Sequence, residues 1–146
     1  MSKRFTLREA ERLLPRIREW MREAVPLKSQ YDEAERAMQS LTQRVTVMGG
    51  MVIDAQRAVH DKALRENTGQ QLRAILENIQ EAGCLVKDLD KGLVDFPTLF
   101  RGEEVYLCWM LDEPSIRYWH GVHEGFAGRK TIDQEFLDHH EGGQSD

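Results

Sequence analysis

Between Gly92 and Arg129 the chain gathers most of the side chains that can do chemistry: Asp95, Cys108, Glu113, His120, His123 and Arg129, with Trp109, Tyr118 and Trp119 among them. Cys108, His120 and His123, with Asp95 or Glu113, supply the sulfur, nitrogen and oxygen donors that zinc or iron accepts. No CxxC or HExxH spacing is present, so a metal at Cys108 and His120 depends on how two strands pair. A reversal at Asp112 to Ile116 would set Cys108 opposite His120 and Trp109 opposite Trp119. A slip of one residue would set Cys108 against Trp119 and separate the pair. The ordinary reading makes Cys108 a small buried hydrophobe and hydrogen-bonds His120 to a carboxylate. A third reading is a Cys-His nucleophile oriented by Asp95. Against it, Cys108 lies in the most apolar strand, where burial raises a thiol pKa and shuts out substrate.

Asp88, Asp90 and Asp95 flank Gly92 but lack the order and closing glutamate of a calcium loop, so turn chemistry explains them better. Asp88 and Asp95 have Lys87, Arg117 and Arg129 as possible partners. Gly125 to Arg129 presents one guanidinium, which either clamps a carboxylate or phosphate or locks the sheet to an acidic side chain. Asp95, Glu113 and Arg129 are therefore the candidate ligand-binding residues beside Cys108 and His120.

These residues need a scaffold, and two helices come first. Thr6 and Glu9 form a capping box, so a helix should start near Leu7. Apolar residues then recur at Ala10, Leu14, Ile17, Met21 and Ala24, and again at Leu27, Tyr31, Ala34, Met38, Leu41, Val45 and Met48. The one fault in this alternation sits on Pro26, where a proline removes a donor and bends the axis; Pro15 is a second expected kink. One long bent helix is predicted, ended by Gly49-Gly50. Val52, Ala55, Val59, Leu72, Ile75, Leu76, Ile79 and Ala82 mark a returning helix closed by Gly83. Asn67-Thr68-Gly69 interrupts its pattern, and Lys62 to Gln71 is either a loop or a solvated stretch of helix. The first 83 residues read as an antiparallel helical hairpin with a narrow, coiled-coil-like seam.

After Gly83 the period becomes that of strands. Cys84 to Leu89, Leu93 to Phe96, Val105 to Leu111 and Ile116 to His120 form a four-stranded meander, with turns at Asp90-Lys91-Gly92, Arg101-Gly102 and Asp112 to Ser115. The third strand is apolar on both faces. A sheet on a hairpin hides only one face, so the C-terminal segment or a second subunit must cover the other. A homodimer is expected. From His139 the chain reads as a frayed tail. The fold class is α+β: a long N-terminal antiparallel hairpin (1–83), then a small antiparallel β-meander and motif region (84–138) and a flexible tail (139–146), in one domain spanning 1–146.

Composition narrows function. The net charge of -5 divides into +2 over residues 1–83 and -7 over residues 84–146. Eight Lys and Arg residues within 1–28 alternate with Glu, and the two aromatics among them, Phe5 and Trp20, make no single-strand platform, so nucleic acid is an unlikely partner and a solvated or docking face the expectation. No run of eighteen apolar residues occurs, and Met1 to Phe5 leads directly into a charged helix. Neither a membrane span nor a signal peptide is expected, and two unpatterned cysteines suit a reducing cytoplasm.

The string from Val86 to Pro97, with Val105-Tyr106-Leu107-Cys108-Trp109, Tyr118-Trp119-His120 and Gly125-Phe126-Ala127-Gly128-Arg129, resembles the prokaryotic family catalogued as domain of unknown function 2203. Phe5-Thr6-Leu7 and Leu13-Leu14-Pro15 are similar as well. The resemblance covers nearly the whole chain. It implies a helical N-terminal part and a compact C-terminal motif region in a bacterial protein, and no activity. Two positions depart from it: Asp112-Glu113-Pro114 stands for an expected Gly-Glu-Pro, and His123 stands at a position often acidic. The expected function is a homo-oligomeric assembly or adaptor protein without catalysis. The alternative is a metal- or small-ligand-binding protein, or an enzyme, centred on Cys108 and His120.

Overall fold

The computed structural model describes residues 3–47 and 55–144. Met48, the Gly49-Gly50 breaker, Val52 and the last two residues of the expected tail lie outside them. In chain order the elements are β1 (Lys3–Arg4), α1 (Leu7–Val47), α2 (Ala55–Glu81), β2 (Leu85–Asp88), β3 (Leu93–Phe100), β4 (Glu103–Met110), β5 (Tyr118–Gly121), β6 (Lys130–Thr131), α3 (Gln134–His139), β7 (His140–Glu141) and β8 (Gly143–Gln144). A single 3-10 turn, Phe126–Gly128, lies between β5 and β6.

The capping box forms as expected: Thr6 N–H donates to Glu9 Oε1 at 2.9 Å and Glu9 N–H to Thr6 Oγ1 at 3.1 Å. Satisfying those donors starts a helix of 41 residues, about 60 Å at 1.5 Å per residue, which continues through Pro15 and Pro26. The predicted stripe is buried at Ala10, Leu14, Ile17, Met21, Ala24 and Ala34. The returning helix runs antiparallel: Arg65 bonds Glu35 at 3.0 Å, while Gly69 lies against the ring of Tyr31, so one helix is read forward as the other is read back. The stretch left undecided, Lys62 to Gln71, is helix, and Asn67-Thr68-Gly69 does not interrupt it. Thr68 returns its hydroxyl to the Leu64 carbonyl at 2.8 Å, which removes the need for a turn, and Gly69 allows the close approach to Tyr31. After Glu81 the N–H of Gly83 donates to Gln80 O and that of Cys84 to Ile79 O, closing the helix where glycine was expected to.

The strands β2, β3, β4, β5 and β6 are neighbours in that order, all antiparallel, and β7 adds to β3. The second and third expected strands extend further than their apolar runs, with Arg101-Gly102 turning between them at positive φ (52° and 82°). Between β2 and β3, Gly92 adopts φ 70°, and a Cβ there would come within 2.7 Å of Leu111 Cβ.

Alternation assigns the two faces. Val94, Phe96, Leu107 and Trp109 join Ala10, Leu14, Ile17, Met21 and Ala24 of α1 and Leu72, Ile75 and Ile79 of α2 in one buried cluster. Asp95, Pro97, Tyr106, Cys108 and His120 lie on the opposite side and are buried too. Both faces of β4 are therefore shielded from water. The chain supplies the second cover itself: Arg129 stacks on Tyr118, 4.0 Å from the ring centroid, and reaches the Cys108 carbonyl. The need for a second subunit at this face disappears.

The expected tail is a correction. His139 ends α3, His140–Glu141 pairs with β3 and Gly143–Gln144 pairs with β1, so the segment up to Gln144 is built into secondary structure. Polar composition suggested fraying, but backbone pairing does not depend on side-chain hydropathy. His140 also stacks on Phe136, 5.2 Å between centroids, and its Nε2 accepts the N–H of Leu7.

Candidate functional site

Strand pairing brings Asp95 of β3 directly opposite Cys108 of β4. On the other side of β4, Cys108 faces Tyr118 and Tyr106 faces His120. The expected register, Cys108 against His120, is displaced by two residues. The cause lies in the connection: Glu113 N–H donates to Met110 O, Glu113 Oε1 accepts Met110 N–H at 2.7 Å and Glu113 O accepts Trp109 Nε1–H at 2.8 Å. These bonds make a longer loop that takes Ile116 and Arg117 out of the expected strand. A shift of two preserves side-chain parity, so His120 stays on the face of Cys108, one diagonal step away.

The result is a compact buried cluster. His120 Nε2 lies 3.0 and 3.1 Å from the two oxygens of Asp95, and the donor atoms of Asp95, Cys108 and His120 all fall within 4.8 Å of one another. Asp95 and Cys108 have no exposed surface and His120 has 4%. Among the described residues this is the group of three or more His, Cys, Asp or Glu side chains whose donor atoms converge so closely.

Hydrogen bonding fixes the imidazole. Nδ1 meets the Gly121 carbonyl at 2.8 Å, and since a carbonyl only accepts, Nδ1 carries a hydrogen. Nε2 is left to share a proton with Asp95. Burial pushes the Asp95 carboxyl up, while the His120 charge and the hydrogen bonds from His120 and the Cys108 thiol pull it back. Burial and the nearby Asp95 carboxylate push the Cys108 thiol up to about 12. Tyr106 completes the surroundings, edge-on to His120 with centroids 5.6 Å apart, and Lys87 Nζ lies 4.9 Å above the Tyr106 ring.

The other expected site residues go elsewhere. Glu113 and Arg129 bond each other at 2.6 Å, both largely buried, so the guanidinium locks the β4–β5 loop to the sheet. Arg129 touches the cluster only through the Cys108 carbonyl, at 3.4 Å. His123 is exposed. Asp88 accepts the N–H of Lys91, the turn chemistry expected of it, and Arg117 bonds Ser115. Asp95 pairs with His120 in place of the lysine and arginines considered for it.

Sequence reasoning had named Lys87 beside Asp95 but missed three neighbours: Tyr106, Gly121 and Glu124. Tyr106 was available from alternation, two residues from Cys108 on the same face. Glu124 has one weak signal, its spacing of three from Gly121, whose N–H it accepts at 2.8 Å.

The family model described as an uncharacterized conserved protein, DUF2203, matches residues 3–132. No curated relative and no solved structure matches the chain.

Proposed function

Since the chain belongs to this uncharacterised family, we propose a function from the geometry: the protein binds a zinc-class divalent cation through Asp95, Cys108 and His120. The observation that carries the reading is the convergence of one oxygen, one sulfur and one nitrogen donor on a single buried point. Tetrahedral zinc holds oxygen and nitrogen ligands about 3.3 Å apart. The Asp95 to His120 separation, 3.0 Å, is close to that. Outward bonding of the imidazole also fits, because a ligating histidine ordinarily donates its other ring N–H to a carbonyl or carboxylate. The mixed donor set favours zinc or iron over magnesium or calcium, which take oxygen.

The nucleophile reading has less support. A Cys-His pair needs the imidazole against the thiol, but here Asp95 occupies the middle position, and burial together with the Asp95 charge raises the thiol pKa. Loading the protein with Zn²⁺ without a histidine tag, desalting it and measuring metal by elemental analysis tests the proposal. One equivalent should remain on the wild type and disappear from His120→Ala and Cys108→Ser. Metal absent from the wild type, or retained by both variants, would reject it.

A second reading, homo-oligomeric assembly or an adaptor role, draws on the far part of the hairpin, where Val59 is 69% and Leu64 37% exposed. Light scattering across a dilution series tests it, and a monomer at every concentration would remove its support. Two free buried cysteines accord with a reducing, cytoplasmic setting. No helix among the described residues is long and apolar enough to cross a membrane.

A further inference from the structure

The segment after His120 closes on itself around one carboxylate. Glu124 Oε1 accepts the N–H of Gly121 at 2.8 Å and bonds Lys130 Nζ at 2.5 Å, tying the start of the segment to its end. Glycines make the room. A Cβ on Gly121 would lie 2.8 Å from Glu124 Oε1, and one on Gly128 would lie 2.8 Å from Glu124 Cβ. The ammonium of Lys130 and the Gly121 N–H hold the Glu124 carboxyl below the usual carboxylate range, so it is an anion at neutral pH.

The same Gly121 presents its carbonyl to His120 Nδ1 at 2.8 Å. At the far end of the segment Arg129 reaches the carbonyl of Cys108. One short strap therefore bears on two of the three converging residues, and its central fastening is an exposed ion pair, 43% and 47% accessible.

We infer that Glu124 is a positioning residue for the cation site: by holding Gly121 it sets the carbonyl that orients His120, and so aims Nε2 at the point shared by Asp95 and Cys108. The inference rests on the metal reading above and adds the group that governs its affinity. An imidazole that loses its outer hydrogen bond spends time in orientations that cannot ligate, and such losses weaken metal binding by about 10–100-fold.

The test uses full-length protein in two forms. Imidazole ¹⁵N spectra of metal-free protein report the His120 Nδ1–H, and a Co²⁺ titration reports affinity through the thiolate-to-cobalt absorption band. In Glu124→Ala the Nδ1–H should exchange with water at least about tenfold faster, and Co²⁺ should bind about 10–100-fold more weakly at unchanged stoichiometry. Glu124→Gln keeps an acceptor for Gly121 and should rescue both readouts to within about threefold, an outcome that mere loss of bulk would not give. Gly128→Ala, whose methyl displaces Glu124, should move both readouts in the direction of Glu124→Ala and serves if that variant folds poorly. Unchanged exchange and affinity in Glu124→Ala and Gly128→Ala would overturn the inference. A wild type that takes no Co²⁺ overturns the metal reading and the cation role of Glu124 together, whereas faster exchange in the variants would still establish that Glu124 holds His120.

Discussion

The N–H of Leu7, first residue of the longest helix, ends on Nε2 of His140, 3.0 Å away and 133 positions further along the chain. His140 Nδ1 meets the Leu137 carbonyl at 2.9 Å, so the ring is the neutral tautomer with its hydrogen on Nδ1. A side chain near the end of the chain thus satisfies one of the donors that every helix start leaves open. His140→Phe keeps an aromatic ring against Phe136 and removes the acceptor. We expect it to cost about 1 kcal/mol by urea denaturation, and His140→Ala to cost more. Equal stability of wild type and both variants would show that water replaces the ring without loss.

The buried pair should respond unequally to single and double replacement. Asp95→Ala leaves His120 without its partner in a place water does not reach, and a loss of about 3–5 kcal/mol is expected. Replacing both residues with apolar ones of similar volume removes the uncompensated group and should cost much less. If the pair serves binding more than folding, the double variant folds and holds no Zn²⁺. A double variant as unstable as Asp95→Ala would assign the pair to the fold instead.

The two thiols should be silent in the native protein. Burial pushes Cys84 and Cys108 up to about 12 from the ordinary thiol value of 9.0, so at pH 8 almost none of either is thiolate. A disulfide reagent should find no fast thiol until denaturant is added, then two. The sign of the accompanying pH effect follows from proton binding: above 9 the unfolded chain loses thiol protons that the native state keeps. Stability should therefore be unaffected by these groups below 9 and fall as pH rises from 9 towards 12. One fast thiol at pH 8 would show that the far face of β4 is open.

Gly92→Ala should destabilise by more than about 1 kcal/mol, because it combines positive φ with a methyl facing Leu111 at 2.7 Å. Gly69→Ala provides the comparison. There the methyl would sit 3.3 Å from the Tyr31 ring, and the gain in helix propensity, up to about 1 kcal/mol, opposes the crowding. Thermal melts of the two variants should separate clearly, and a Gly92→Ala protein as stable as Gly69→Ala would contradict the close packing of the β2–β3 turn.

Much of this architecture could be read from residue types. Thr6 and Glu9 announce the helix start, the Ala10 to Ala24 stripe announces its buried side, and Gly83 announces the end of the return. Strand parity placed Cys108 and His120 together even though the register was wrong by two, since parity needs only alternation. Register depends on the loop, and the loop on Glu113, whose bonds to Met110 have no pattern to give them away. Asn67-Thr68-Gly69 misleads for a related reason: turn-forming residues also suit a helix when a hydroxyl can bond back and a neighbouring ring needs space. Asp95 to His120 was harder to foresee, because two diagonal side chains meet only after three strands are correctly placed.

The hairpin thins as it leaves the sheet. Near the base, α1 presses Ala10 to Ala24 into a core shared with five residues of β3 and β4, but among the described residues beyond Ala34 α2 is what remains beside it, with Asp61 in the seam. Cooperativity should decline along the rod: amides of residues 38–44 and 55–64 should exchange deuterium through local opening, while those of residues 10–24 wait for global unfolding. The molecule then has a firm heel and a yielding toe, and whatever grips the toe would pay to order it before gaining from the contact.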